Sequence, residues 1–378
     1  MKIAHLSDTH LGYRAYGRTT PAGINQREFD VMKTFKSCLD AIVERDPDVV
    51  VHSGDLFHVV RPSNATIHRT FKLISEFQAK RKGKPFILIG GNHDTPRMTE
   101  SGNILPLLGE IPGMHVQVGR ATAFEIPECD LEVLAVPSDS LRNDEQIDWV
   151  PQLKRKYGIL TLHGIAREAL EQAGLFNIDA TRPERWTYVA MGDFHERKSF
   201  GANVCYAGST DYTSTNIWQE TKTPKGWVWF DSETREQEFV KLKPRLVLDL
   251  RSIDARDMTA DALAASLREN ARWDPDELPI VRQKVTNVHH DTRGQLATSL
   301  VRELSASCLT YVLRLLPPES IRAAGELVKS EAFTIERAWE DHMKDAELPA
   351  GIERNQINTM GLELLKEVAE RASDPAKA

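Results

Sequence analysis

Five apolar runs, spread over residues 3–191, each end in residues able to bind metal, and this repetition constrains the fold more than any other feature of the chain. The clearest is Val49-Val50-Val51-His52-Ser53-Gly54-Asp55-Leu56-Phe57-His58. A β-branched run ending in small residues and a carboxylate is the pattern of a buried strand whose C-terminal edge delivers an acid into a loop. In the same way Ile3–Ser7 leads to Asp8 and His10, and Phe86–Ile89 leads to Asn92, His93 and Asp94. Ile159–Leu162 leads to His163, and Tyr188–Met191 to Asp193 and His195. Ligands of open α/β sheets gather outside the carboxyl ends of the strands. Five strand ends with one kind of payload therefore predict one site.

The segments between these runs set the topology. Phe29, Met32, Phe35, Leu39 and Ile42 recur at helical spacing, which predicts a helix from about Arg27 to Glu44. Pro62-Ser63-Asn64 reads as the cap of a second helix carrying Phe71, Ile74 and Phe77. Strand, helix, strand, helix, strand is most economically a parallel layered sheet. Val116–Val118, Ala121–Ile126 and Leu131–Val136 are short and punctuated by Gly, Pro and acidic residues, and predict an antiparallel second sheet. A hairpin-like pair, Gly226–Phe230 and Glu238–Lys241, closes this part, and Pro244 marks a boundary.

Residues 245–317 read as a compact α+β unit. Leu246–Leu250, Pro279–Val285 and Leu309–Leu315 are its strands, and Thr259–Asn270 and Arg293–Ser307 its helices. Residues 318–378 carry helical patterns only, Ala332, Ile335, Trp339 and Met343, then Ile357, Gly361, Leu364 and Val368, joined at Pro349-Ala350-Gly351. The expected domains are thus 1–244, 245–317 and 318–378.

At 378 residues with 27% charged and 41% hydrophobic residues, the chain has the composition of a globular protein of two or three domains. Its net charge of −7 gives no global attraction to nucleic acid, although local patches and bound cations are not counted in that sum. No run reaches the roughly 18 apolar residues of a membrane span, and the start of the chain reads directly as a strand rather than a signal peptide. Cys38, Cys129, Cys205 and Cys308 form no CxxC pair and are expected to be reduced and mostly buried, as in a cytoplasmic protein.

Collected, the strand-end groups are Asp8, His10, Asp55, Asn92, His163, Asp193 and His195. Oxygen and nitrogen donors without thiolate suit Mn²⁺, Fe or Zn²⁺. Seven are too many for one ion and suit two, with a carboxylate such as Asp55 able to bridge ions roughly 3.5–4 Å apart. Such a pair clamps the attacking and leaving oxygens of an in-line phosphoryl displacement.

Asp8-Thr9-His10, Gly54-Asp55-Leu56-Phe57-His58, Gly91-Asn92-His93-Asp94, His163-Gly164 and Gly192-Asp193-Phe194-His195 resemble the successive motifs of the calcineurin-like metallophosphoesterases. The Gly-Asp-Leu-Phe-His form and Ala207-Gly208-Ser209-Thr210-Asp211-Tyr212 resemble one branch, the DNA double-strand break repair nucleases of the SbcD or meiotic recombination eleven type. The resemblance implies an α/β fold, a four-layered β-sandwich flanked by helices, with a small α+β capping domain and a C-terminal helical tail. It implies that Asp8, His10, Asp55 and His195 hold one Mn²⁺, and that Asp55, Asn92, His163 and Asp193 hold a second, with Mg²⁺, Fe or Zn²⁺ as alternatives. It further implies that His93 stabilises the transition state and protonates the leaving oxygen, and that His58 contacts the phosphodiester. The implied activity is exonuclease and endonuclease cleavage of DNA ends, hairpins and single-stranded regions. The implied setting is cytoplasmic and nucleoid-associated, as a homodimer and with an SMC-like ATPase of the SbcC or Rad-fifty type on the C-terminal helices. One position departs from the pattern: Asp193 stands where the family carries an imidazole.

Two other functions fit parts of the sequence: a phosphatase or phosphodiesterase of small substrates, and a binding subunit whose catalytic site has decayed at Asp193. The extra domain argues against the first, and the otherwise complete motif set against the second. Tyr13, Arg14 and Arg18 are either backbone contacts for DNA or solvated loop residues. The basic run Lys80, Arg81, Lys82 and Lys84 is expected to be a helix end, His289-His290 to bind no metal, and Trp227 and Trp229 to pack on a sheet.

Overall fold

The structure, a computed structural model, describes residues 1–96, 102–143, 146–150, 154–170, 174–274, 278–318, 339, 342–343 and 354–373. Its first sheet is laid down by β1 (Lys2–Leu6), β2 (Val49–His52), β3 (Phe86–Ile89) and β4 (Met114–Gln117), all parallel. Two helices make the first two crossovers. In α1 (Gln26–Arg45) the Asn25 side chain accepts from the Arg27 and Glu28 amides, and the helix ends at Asp46 in a left-handed turn. In α2 (Asn64–Lys80) the Ser63 side chain accepts from the Thr66 amide. Both caps satisfy donors that a helix start leaves open.

The second sheet contains β5 (Thr122–Ile126), β6 (Leu131–Val136), β7 (Tyr157–His163), β8 (Tyr188–Gly192), β9 (Lys198–Ser199) and β10 (Val204–Tyr206), in the order β5-β6-β7-β8-β10-β9. The chain then returns to the first sheet, where the hairpin β11 (Gly226–Asp231) and β12 (Glu236–Lys241) pairs antiparallel beside β1. The antiparallel second sheet expected from the sequence is corrected. Only β5 and β9 run antiparallel to their neighbours, while β6, β7, β8 and β10 are parallel, and the segment around Val116 belongs to the first sheet. The connections from β6 to β7 and from β7 to β8 are long enough to cross over, and the near-continuous apolar runs of β6, β7 and β8 are what a sheet covered on both faces requires.

Strand alternation divides the core. Ile3, Val49, Val51, Ile87 and Ile89 face the second sheet's Val133, Ile159, Tyr188 and Ala190. Ala4, Leu6, Val50, Phe86 and Leu88 point the other way, onto Phe35, Leu39 and Ile42 of α1 and Ile74 and Phe77 of α2. The outer face of the second sheet, with Leu160, Leu162 and Met191, is covered by Ala166, Phe176, Ile178 and Trp186 from loops and single turns. These layers bear out the mixed α/β sandwich, with one outer layer built of short pieces such as α3 (Ser138–Arg142). Trp227 is fully buried in the α1 side of the core, as expected for sheet packing.

The chain divides into two compact units. One comprises Met1–Leu250, Trp273–Arg282 and Arg302–Val312; the other comprises Arg251–Arg272, Gln283–Val301 and Leu313–Ala378. Within the first, α4 (Ile217–Glu220) packs Ile217 and Trp218 against Val247, Ile280 and Leu309. Here β13 (Val247–Asp249) pairs parallel with the start of β15 (Ile280–Thr286). Within the second, β14 (Ile253–Asp254) pairs with the end of β15, and α5 (Ala260–Asn270) is capped by Thr259. The single helix expected over 293–307 is two, His290–Gln295 and Thr298–Ala306, broken where Leu296 turns extended after Gly294. The strand β16 (Thr310–Leu315) follows. Of the expected tail helices, residues 319–338 and 344–353 lie outside the described residues, Phe333 and Ile335 among them. The helix Arg354–Ser373 is present, with the Trp339 indole donating to the Asn358 carbonyl. No helix among the described residues is long and apolar enough to cross a membrane. The four cysteines are free, three of them buried.

Candidate metal centre

All seven sequence-derived donors meet at one place, at the carboxyl edges of β1, β2, β3, β7 and β8. His10 Nε2 lies 3.7 Å and His163 Nε2 3.5 Å from the same Asp55 Oδ2. His163 Nε2 is 3.7 Å from Asp193 Oδ1 and 3.0 Å from Asn92 Oδ1. His195 Nε2 is 3.9 Å from Asp8 Oδ1 and 3.1 Å from His10 Nε2. Asp8, His10 and His195 form one group whose donor atoms could share an ion, and Asp8, Asp55 and His163 form another. Four of the donors come from the first sheet and three from the second, so the site sits on the seam between them.

The backbone is bent to achieve this. Asp8 (φ 51°), His10 (51°), Asp55 (57°) and Asp193 (89°) all sit in the left-handed region, a costly conformation for residues with side chains that persists where the surroundings over-determine it. Glycines of the motifs allow the close approach. A Cβ at Gly54 would overlap the His163 ring, one at Gly91 the Asp55 carboxylate and amide nitrogen, and one at Gly192 the Ser53 carbonyl.

Further residues orient these donors, Asp94 from within a motif and Glu220 and Lys225 from outside all of them. Asp94 is not turned towards the donors: its buried carboxylate accepts from the Leu56, Phe57 and Gly91 amides and ties the loops after β2 and β3 together. The His163 Nδ1–H donates to the Ser53 carbonyl (2.7 Å), which leaves Nε2 for a ligand. The His195 Nδ1–H donates to Glu220 Oε1 (3.0 Å) from α4, and Glu220 Oε2 meets the buried Lys225 ammonium at 2.7 Å. Metal-binding imidazoles are held by partners of this kind. Glu220 and Lys225 carry no local signal, since neither follows an apolar strand or a Gly-rich turn.

His58 and His93 stand beside the donors. The His93 amide donates to Asp55 Oδ1 (2.8 Å), and its Nδ1–H donates to the His58 carbonyl (2.8 Å). The His93 ring meets His10 edge-on at 4.8 Å and stacks at 5.3 Å on His58, whose Nδ1 lies 3.4 Å from His10 Nδ1. Tyr13 abuts His58 edge-on.

The buried charges act on one another. Burial alone would lower the His163 pKa, but Asp55, Asp193 and Asp8 around it outweigh burial and raise it well above the ordinary value. Burial would raise Asp55, yet His163, His10 and His93 hold it below the usual carboxylate range. His10 goes down through burial and the neighbouring imidazoles. Burial would raise Glu220, but His195 and Lys225 bring it to about 2. These carboxylates thus favour the protonated form of His163 without metal, and its charge stabilises the metal-free fold at low pH, a contribution lost as pH rises through the folded value. A cation at Nε2 must expel that proton. Mn²⁺ loading at pH 7 is expected to release a proton and to weaken as pH falls; calorimetric heats that do not change with the buffer's ionisation enthalpy would contradict this.

The arrangement fits a divalent cation on its own chemistry. The seven side chains offer oxygen and nitrogen donors without thiolate, Asp8, His10, Asp55 and His163 among them buried, and Asp55 Oδ2 lies within 3.7 Å of both His10 and His163 Nε2, a set suited to divalent cations. Among the weaker candidates, Arg14 pairs with Glu28 (2.8 Å) and Arg18 donates to the Ser305 carbonyl (3.0 Å). Arg81 is buried on backbone carbonyls and Lys84 pairs with Asp46, so the basic run is in part a structural helix end. His290 is exposed beside Asp291, and no metal-binding group among the described residues includes it.

Known proteins have similar sequences. The chain is 29% identical over 228 residues to the DNA double-strand break repair protein Mre11 of Methanococcus maripaludis, 57% of this chain and 59% of that one. It is 29% identical over 319 residues to the protein of that name from Sulfolobus acidocaldarius, 79% and 78% of the two chains. With the Archaeoglobus fulgidus protein it shares 30% identity over 232 residues, 56% of this chain and 50% of the other. The matches thus span between half and about four-fifths of these relatives' lengths. The calcineurin-like phosphoesterase profile matches residues 1–189, half the chain and all but the last of the motifs that build the site. With the two-sheet fold and the converging donors, this match shows that the chain belongs to the calcineurin-like phosphoesterase family.

Proposed function

We propose that the chain is a Mn²⁺-dependent DNA nuclease of double-strand break repair that hydrolyses phosphodiesters at a two-metal site. The observation that carries the reading is the placement of Asp55, whose one oxygen faces His10 on one side and His163 on the other, as a bridging carboxylate must. Asp8, His10, Asp55 and His195 would hold one ion, and Asp55, Asn92, His163 and Asp193 the other. When bound, the pair supplies a nucleophile at neutral pH and neutralises charge on the phosphoryl oxygens. The relatives' names, which specify DNA double-strand break repair, support the choice of substrate.

The protein's own groups do the rest. With Nε2 of His10 engaged, its proton sits on Nδ1 and is donated to His58 Nδ1. His58 is thereby left as an Nε2–H donor for a phosphoryl oxygen. His93, fixed through its Nδ1–H on the His58 carbonyl, presents Nε2 to the leaving oxygen, which takes the second proton of the imidazolium form and leaves the ring neutral. A groove beside the site is lined by Arg14, His58, Arg61 and Ser63, and its two guanidinium groups suit a phosphate backbone. Exonuclease and endonuclease action on ends, hairpins and single strands belongs to this proposal. So do the 245–317 segment as a DNA-binding cap, dimerisation, a nucleoid location, and an SMC-like ATPase partner on the C-terminal helices.

The test is Mn²⁺-dependent cleavage of end-labelled linear and hairpin DNA compared with bis(p-nitrophenyl) phosphate. DNA cut well above the small ester supports the nuclease; the reverse preference favours a small-substrate phosphodiesterase. Asp193 adds a carboxylate to the second ion's set and lowers its Lewis acidity. Asp193→His is expected to shift metal preference from Mn²⁺ towards Zn²⁺ in competition titrations, and an unchanged preference would remove that role.

A further inference from the structure

The two halves of the site are not built alike. His163 is braced by a neutral carbonyl, that of Ser53. His195 is braced by a carboxylate, Glu220, which is itself matched to a buried ammonium. We propose that Glu220 and Lys225 are positioning residues that make the two cation positions unequal, strengthening the one at His195 and leaving the one at His163 the weaker. The inference rests on the two-metal reading above.

Three observations carry it. The Glu220 carboxylate meets the His195 Nδ1–H at 3.0 Å, fixing the tautomer that presents Nε2 to the site and raising the basicity of that nitrogen. The Lys225 side chain, wholly buried, pairs with Glu220 at 2.7 Å and also donates to the His195 carbonyl (3.1 Å) and to Ser209 Oγ (2.7 Å). One ammonium thus holds both the carboxylate that orients the imidazole and the backbone that carries it. Burying two charges is costly unless their geometry is exacting, and an apolar pair of the same shape would hold a fold as well. A buried pair set directly behind a metal-facing imidazole is explained by what it does to that imidazole.

The carboxylate also has a fixed origin. Glu220 ends α4, which is too short to hold itself, and the buried side chains of Ile217 and Trp218 anchor it against Val247, Ile280 and Leu309. Residues far beyond the motif region therefore set the strength of one cation position.

The experiment is a Mn²⁺ titration of the full chain, read by calorimetry and by the electron paramagnetic resonance of the exchange-coupled pair, on wild type, Glu220→Gln and the double variant Glu220→Gln/Lys225→Met. Glu220→Gln keeps an acceptor of the same size, so a merely packing role leaves affinity unchanged. The expected result is a roughly 10–100-fold loss at one ion, the other within twofold of wild type, and a changed coupled spectrum. The double variant, which buries no unpaired charge, is expected to melt like wild type without metal and to show the same one-site loss. It serves as the test should Glu220→Gln fail to fold. Two ions bound by the variants with wild-type affinities and spectrum, or an equal loss at both, overturn the proposal. A wild type that binds no pair of ions overturns the two-metal reading beneath it as well.

Discussion

His93→Ala is expected to lower DNA cleavage by about 10²–10⁴-fold while both Mn²⁺ ions remain bound, the range that a well-placed acid supplies. The side chain lies close enough to share an ion with His10 and His58, but it belongs to neither the Asp8, His10 and His195 group nor the Asp8, Asp55 and His163 group, which carry the two proposed cation positions. Its backbone amide, which alanine keeps, is what holds Asp55 Oδ1. Metal binding and chemistry should therefore separate cleanly at this residue. The check is single-turnover cleavage of end-labelled DNA alongside calorimetric ion counting. A parallel loss of ions would show His93 to be structural, and near-wild-type cleavage would remove it from the mechanism.

Gly91→Ala is expected to abolish ion binding, through one methyl group that touches no substrate. The added carbon would overlap both the Asp55 carboxylate and its amide nitrogen, so the shared oxygen of the site must move. Overpacking of this kind costs about 1–3 kcal/mol, and the carboxylate's displacement removes the bridge as well. Gly83→Ala is the control: it lies at φ 72° with nothing within 4 Å of its added carbon. Its penalty is backbone strain of about 1–2 kcal/mol, with full ion binding. Thermal melts with and without Mn²⁺ distinguish the two, and a Gly91→Ala protein that still gains stability from Mn²⁺ would refute the clash.

The donors were legible because each is announced locally, by an apolar run before it and glycines around it. Asp8, Asp55, His163 and Asp193 lie at the last residue of a strand or within three residues beyond it, so their convergence needed only that the strands be parallel. The direction of the second sheet was harder. Its strands are short and separated by Pro and acidic residues, a pattern shared by hairpins and by crossovers built of loops, and only the Leu131↔Tyr157 and Ile159↔Tyr188 registers decide between them. Glu220 and Lys225 were invisible for another reason. Their partner lies some 25 residues away through a contact between side chains, and nothing in a Trp-Gln-Glu-Thr stretch marks an acid that faces an imidazole. Asp94 shows the converse: it sits inside the sharpest motif, yet its carboxylate holds amides rather than the site.

The seam between the sheets also sets a schedule. A chain leaving the ribosome presents Asp8, His10, Asp55 and Asn92 well before His163, Asp193 and His195 exist. The strand that seals the free flank of β1 is β11, made later still. Folding from the N-terminus therefore yields for most of synthesis a sheet holding half a centre. On the proposed nuclease reading, a chain made beside messenger RNA gains its cutting centre only when the last of its scaffold is in place.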